Sequence, residues 1–215
     1  MDTFKDIDDE QLPGDDPPPE AEDFEVADPA SIPEDEGNAD ADLKEAPGSG
    51  RLGASASGLS APHRIRARDL AVQAAFLGLR HAKELHYTQD ARRWEGIAKN
   101  LKSWRGQYPH YADCSAFATW CLWMGLSHYG VRDVVNGQDW QAGWTGTQVK
   151  HGKQVVHRAN VMRADLAHYG DPFGKSGHVA VCIGGGRVIS HGSEGGPYLL
   201  DIDYRSDLRQ IRRYI

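Results

Sequence analysis

The chain has 215 residues, a formal net charge of -7 and three cysteines. That length suits one well-buried domain, or one domain with a tail. Cys114, Cys121 and Cys182 are an odd number at irregular spacing, which argues against a disulfide framework, and no run approaches the roughly 18 apolar residues of a membrane span, so no stable membrane insertion is expected.

The charge is unevenly spread. Residues 1–60 hold eighteen acidic and three basic side chains, a balance of -15. Residues 61–215 hold thirteen acidic and twenty-one basic, a balance of +8. The first segment is rich in Asp, Glu, Pro, Gly and Ser, as at Pro17-Pro18-Pro19 and Gly48-Ser49-Gly50, with apolar residues scattered singly. Such a segment buries too little apolar area to offset its ordering entropy, so 1–60 is expected to be a disordered acidic arm or linker. It is either a merely solvated arm, or one that shields the basic domain or binds a partner. The chain starts Met-Asp-Thr-Phe-Lys-Asp, with no basic segment followed by an apolar one. No secretory signal is therefore expected, and synthesis in a cytoplasm is.

A globular domain is expected over 61–215. From Ile65 to Tyr87, helical spacing places Val72, Phe76 and Leu79 on one stripe, with Leu70, Leu77 and Leu85 beside it. Pro62 suits the start of a helix. A second helix is predicted from about Asp113 to Leu126, with Phe117, Trp120, Cys121 and Met124 on its core face. A Gly- and Trp-containing loop follows over 136–146, and residues 155–170 carry no decisive pattern. Val179, Val181 and Ile183 alternate with Ala180 and Cys182, then Gly184-Gly185-Gly186 turns the chain into a strand ending near His191. Tyr198 to Ile202 and Gln210 to Ile215 read as further strands. Helices first and strands later predict an α+β fold, with helices packed on an antiparallel sheet.

The candidate chemistry is split along the chain. Asp113 suits a helix N-cap, which places Cys114 in the first turn. Backbone N–H groups and the helix dipole there favour a thiolate. Cys121 and Cys182 lie on apolar surfaces and read as inert. His178 opens one strand of the hairpin and His191 closes the next. If the loop is Gly185-Gly186 alone, Gly184 faces Arg187, Ala180 faces His191, and His178 is the diagonal neighbour of His191. A three-residue loop flips His191 to the other face. In the first register His178 takes the thiol proton and His191 orients its ring. Zinc is a competing use of Cys and His, but no Cys-x-x-Cys, His-x-x-His or His-Glu-x-x-His pair is present. The triple glycine precedes a strand, so it is a turn and not a phosphate cradle. No recognised nucleic-acid module accompanies the basic domain, and no nucleic-acid partner is expected.

Asp113-Cys114-Ser115, Gly177-His178-Val179-Ala180-Val181 and Ile189-Ser190-His191-Gly192 resemble the NlpC family of papain-like cell-wall cysteine peptidases. The peptidase domains of bacteriophage endolysins are closer still. They share His86-Tyr87-Thr88-Gln89, Trp144-Thr145-Gly146-Thr147 and the run from Ser190 to Pro197. The resemblance covers roughly 65–215. It implies a papain-like fold and hydrolysis of a stem-peptide bond in peptidoglycan, with Cys114 as nucleophile, His178 as base and His191 as third member. Tyr87 is implied as an oxyanion donor. It also implies no cofactor, a monomer, and release from the host cytoplasm to the wall by a holin. The same site serves an N-acetylmuramoyl-L-alanine amidase, and a non-catalytic virion or wall-binding protein is the reading from another class. The chain departs from the family pattern in three places. The His178–His191 interval is one residue longer than in many members, which leaves Ser190 and Glu194 open as the third member. Ala116 replaces the usual Gly after Asp-Cys-Ser, and Ala164-Asp165-Leu166 replaces Gly-Asp-Leu.

Overall fold

A computed structural model describes residues 56–193 and 195–215. The expected acidic arm therefore lies, up to residue 55, outside the described residues, as does Glu194. A short 3-10 turn over Ala56–Gly58 leads into helix α1, Ala61–Arg80. The Ser60 side chain caps α1 by accepting from the His63 N–H, and Pro62 lies in its first turn, where a missing N–H costs nothing. The helix ends at Arg80, short of the expected Tyr87. His86–Tyr87 instead forms strand β1, which pairs in parallel with β2, Tyr111–Ala112. The short helix α2, Glu95–Ala98, lies between them.

Helix α3, Cys114–Leu126, starts where Asp113 predicts, and all thirteen of its residues are buried. A helix apolar on every side belongs in the middle of a domain. It packs on α1 at close range: a Cβ on Gly125 would lie 2.1 Å from the Ala67 carbonyl oxygen. After the loop that follows come the short helix α4, Thr145–Gln148, and strand β3, Lys153–Val155. Strands β4 (Leu166–Tyr169), β5 (His178–Gly184), β6 (Arg187–Ser190), β7 (Tyr198–Asp201) and β8 (Leu208–Arg213) complete the chain.

Strands β3 to β8 form one antiparallel sheet in the order β3-β8-β4-β5-β6-β7. The main core, with Phe117, Trp120, Val179, Val181 and Ile189, lies between the helices and one sheet face. A smaller cluster with Tyr169, Ala180, Cys182 and Val188 covers the other face. The fold is α+β, with helices packed on an antiparallel sheet. No helix among the described residues is long and apolar enough to cross a membrane.

Ala164 holds φ at 65°, a conformation that favours glycine, while its methyl is buried. Removing that methyl loses burial but relieves the backbone. Ala164→Gly should therefore cost about 1 kcal/mol less than Ala118→Gly in the middle of α3, where the backbone gains nothing. Paired urea denaturation curves check this, and equal costs would contradict it.

Candidate active site

The N-terminus of α3 abuts the start of β5. Cys114 is the first residue of α3 and is 6% exposed. Nearby backbone N–H groups, that of Val179 foremost, favour the charged form of its thiol. Val179 follows His178 in β5, so the strand that opens at His178 runs past Cys114. Asp113 caps the helix through the Ala116 N–H (2.7 Å) and also accepts from the Ser115 hydroxyl (2.8 Å).

The thiol is not acidified. Burial, then the Asp113 carboxylate, push its pKa up to about 12. Neighbouring backbone N–H groups act in the direction expected from the sequence, but they are outweighed. Arg93 offsets part of the carboxylate's charge: Nη1 donates to Asp113 at 2.5 Å, and Nη2 donates to the Gly143 carbonyl at 3.0 Å. Sequence reasoning missed Arg93. It is twenty residues from Asp113, and no local spacing reports such a pair.

His178 is held by Ser190, with Nε2 and Oγ 2.7 Å apart. The Ser190 hydroxyl in turn meets the Tyr204 hydroxyl at 3.1 Å. This corrects the register drawn from the glycine turn. Gly184 does face Arg187, as a Gly185-Gly186 loop requires, but a bulge between Cys182 and Gly184 absorbs one residue. Ala180 then faces Ser190, not His191. A one-residue slip exchanges the two faces of a strand. Ser190 thus takes the diagonal position expected of His191.

His191 lies elsewhere, fully buried, with Nε2 donating to the Ala112 carbonyl at 3.2 Å. Its ring meets those of Tyr87 and Phe117 edge-on, at 5.7 and 5.8 Å between centroids. It packs behind the segment that delivers Cys114, not on the hydrogen-bonded edge of His178. Tyr87 reaches the same neighbourhood through the β1–β2 pairing, opposite Ala112, and Gln89 donates to its hydroxyl at 3.1 Å. Glu194, the other open choice, lies outside the described residues.

Burial lowers the pKa of His178 to about 4, helped by Arg205 and His191. At neutral pH its imidazole is uncharged and able to accept a proton. With Nε2 engaged by Ser190, Nδ1 is the ring nitrogen left to accept a proton. The resting thiol and the resting imidazole are therefore both neutral. Among the described residues, no group of three or more His, Cys, Asp or Glu side chains is arranged to hold a metal ion.

No family model and no curated protein matches the chain. Several solved structures resemble it. The peptidoglycan hydrolase RipB from Mycobacterium tuberculosis is 18% identical, with 79% of this chain and 74% of that one covered at a TM-score of 0.49. NlpC1 from Trichomonas vaginalis is 15% identical, with 67% and 44% covered at a TM-score of 0.45. An NlpC/P60 family protein from Bacillus cereus is 22% identical, with 59% and 41% covered at a TM-score of 0.38. The chain spans less than half the length of the latter two proteins.

Proposed function

We propose that this protein is a peptidoglycan hydrolase that cleaves a stem-peptide bond by thiol catalysis. The observation that carries the reading is the His178–Ser190 hydrogen bond of 2.7 Å. It fixes an uncharged imidazole on the strand whose next residue, Val179, turns its backbone N–H toward stabilising the Cys114 thiolate. The motifs around Cys114, His178 and His191 supply the substrate class by their resemblance to NlpC-type wall peptidases.

In the proposed reaction the Cys114 sulfur attacks the scissile carbonyl carbon while its proton passes to His178 Nδ1. Because the resting thiol is neutral, attack and proton transfer go together. The carbonyl oxygen gains the charge, which the backbone N–H groups at the start of α3 and the Tyr87 hydroxyl stabilise. His178 then returns the proton to the leaving amine, and water hydrolyses the thioester. The +8 balance of residues 61–215 draws the domain to an anionic wall. An endolysin-like route, from cytoplasm to wall through a holin, completes the reading.

Mass spectrometry of fragments from purified peptidoglycan tests it. The expected products carry new stem-peptide termini with part of the stem still on sugar. Whole stems freed from sugar would identify an amidase instead. Wall that is bound but never cut would favour the non-catalytic binding protein.

A further inference from the structure

We propose that Trp144 and Phe173 form a platform for the amino-sugar strand of peptidoglycan, so that the site takes its stem peptide while still linked to sugar. The identity of the polymer rests on the hydrolase reading above. The platform itself rests on four observations.

First, the two rings are open and touch. Trp144 is 42% and Phe173 54% exposed, and their centroids are 6.2 Å apart at an interplanar angle of 81°. Single exposed aromatics are ordinary, but a contacting pair is an apolar surface.

Second, the rings rest on backbone. A Cβ on Gly146 would lie 2.7 Å from Trp144 Cζ2 and 2.9 Å from Phe173 Cδ1. Glycine lets both rings settle onto α4, leaving their outer surfaces for a ligand.

Third, the support is rigid and wired to the nucleophile. The buried Thr145 hydroxyl donates to the Pro172 carbonyl at 2.9 Å, which joins the Trp144 and Phe173 segments. The Thr147 hydroxyl accepts from the Trp144 N–H at 2.8 Å. Gln148 Nε2 donates to the Ser115 carbonyl of α3 at 3.0 Å, and Arg93 joins Gly143 to the Asp113 cap. A platform held this way loses little entropy when a ligand lands.

Fourth, it adjoins the base. A Cβ on Gly177, next to His178, would lie 2.6 Å from the Asp171 carbonyl oxygen and 3.0 Å from the Thr145 hydroxyl. The segments that carry the rings thus pack against the residue before His178, so a polymer lying on the rings can continue toward it. A sugar ring presents a flat face of C–H bonds to such a surface, whereas an extended peptide backbone would need several donors and acceptors, of which the rings offer the indole N–H alone. Lys150, with its ammonium 5.5 Å from the Phe173 ring centroid, adds a positive charge at the rim.

The test is calorimetric binding to full-length Cys114→Ala protein, which leaves its ligand uncut. One ligand is a disaccharide-linked stem peptide and the other is the same peptide without sugar. The linked form should bind about tenfold tighter or more. Adding Trp144→Ala should erase that difference, and Trp144→Phe should keep part of it, with both variants unchanged in melting temperature. Equal affinities, or a difference that survives Trp144→Ala, would overturn the platform. If wild type cuts no wall yet the sugar-dependent difference stands, the hydrolase reading falls and the platform does not. If wild type cuts wall but sugar adds no affinity, only the platform falls.

Discussion

Cys114→Ala is expected to lower fragment release from purified peptidoglycan about 10⁴-fold, to the residue left by binding and oxyanion contacts alone. The substitution removes one sulfur from a buried first-turn position, so the fold survives it at a cost of about 1–2 kcal/mol. His178→Ala should fall to a similar floor, and the double variant no lower, because a base without its nucleophile has nothing to do. Ser190→Ala should cost far less. A neutral hydrogen bond is worth about 0.5–1.5 kcal/mol, or up to about tenfold in kcat. KM should stay unchanged, since Ser190 is fully buried and touches His178 rather than substrate. Cys121→Ala and Cys182→Ala should keep their activity, because both thiols are buried, one in α3 and one in β5. Retained wall digestion by Cys114→Ala would end the thiol mechanism.

The parts of the site that were legible in the sequence are those set by local rules. Asp113 caps α3 because an aspartate before an apolar run has few better uses, and the alternation from Val179 to Ile183 shows which strand carries His178. Two kinds of information were hidden. Strand β4, Leu166–Tyr169, is buried on both faces, so it shows no period-two pattern, and 155–170 stayed undecided. The bulge before Gly184 leaves no mark in composition, yet it exchanges Ser190 for His191. The Arg93–Asp113 pair and the Thr145–Pro172 hydrogen bond are likewise made by the folded chain between distant segments. The thiol's raised pKa has the same non-local origin. The helix start is a local feature, while the burial that opposes it comes from the sheet packed over α3.

Lowering the pH from 7 to 5 is expected to destabilise the domain by about 4 kcal/mol through His168 and His191 alone. Both are fully buried. Burial depresses the pKa of His168 to about 3 and that of His191 to about 4, from 6.5. Between those values the unfolded chain binds protons that the folded one refuses. Stability is therefore whole above pH 6.5 and falls as the pH drops toward 4. His178 titrates in the same direction. Neither ring nitrogen of His168 has a hydrogen-bond partner. His168→Leu should then cost little at pH 7 and flatten the acid slope by up to one proton. Urea denaturation at pH 7, 6 and 5 measures both, and a stability independent of pH would refute the account. The consequence for activity is specific. The folded His178 stays uncharged down to about pH 4, so under the proposed mechanism it can still accept a proton where charging of the other two histidines already destabilises the domain. The acid limb of wall digestion should coincide with the loss of folded protein and shift with His168→Leu. A limb that stays in place in that variant would instead report titration at the site.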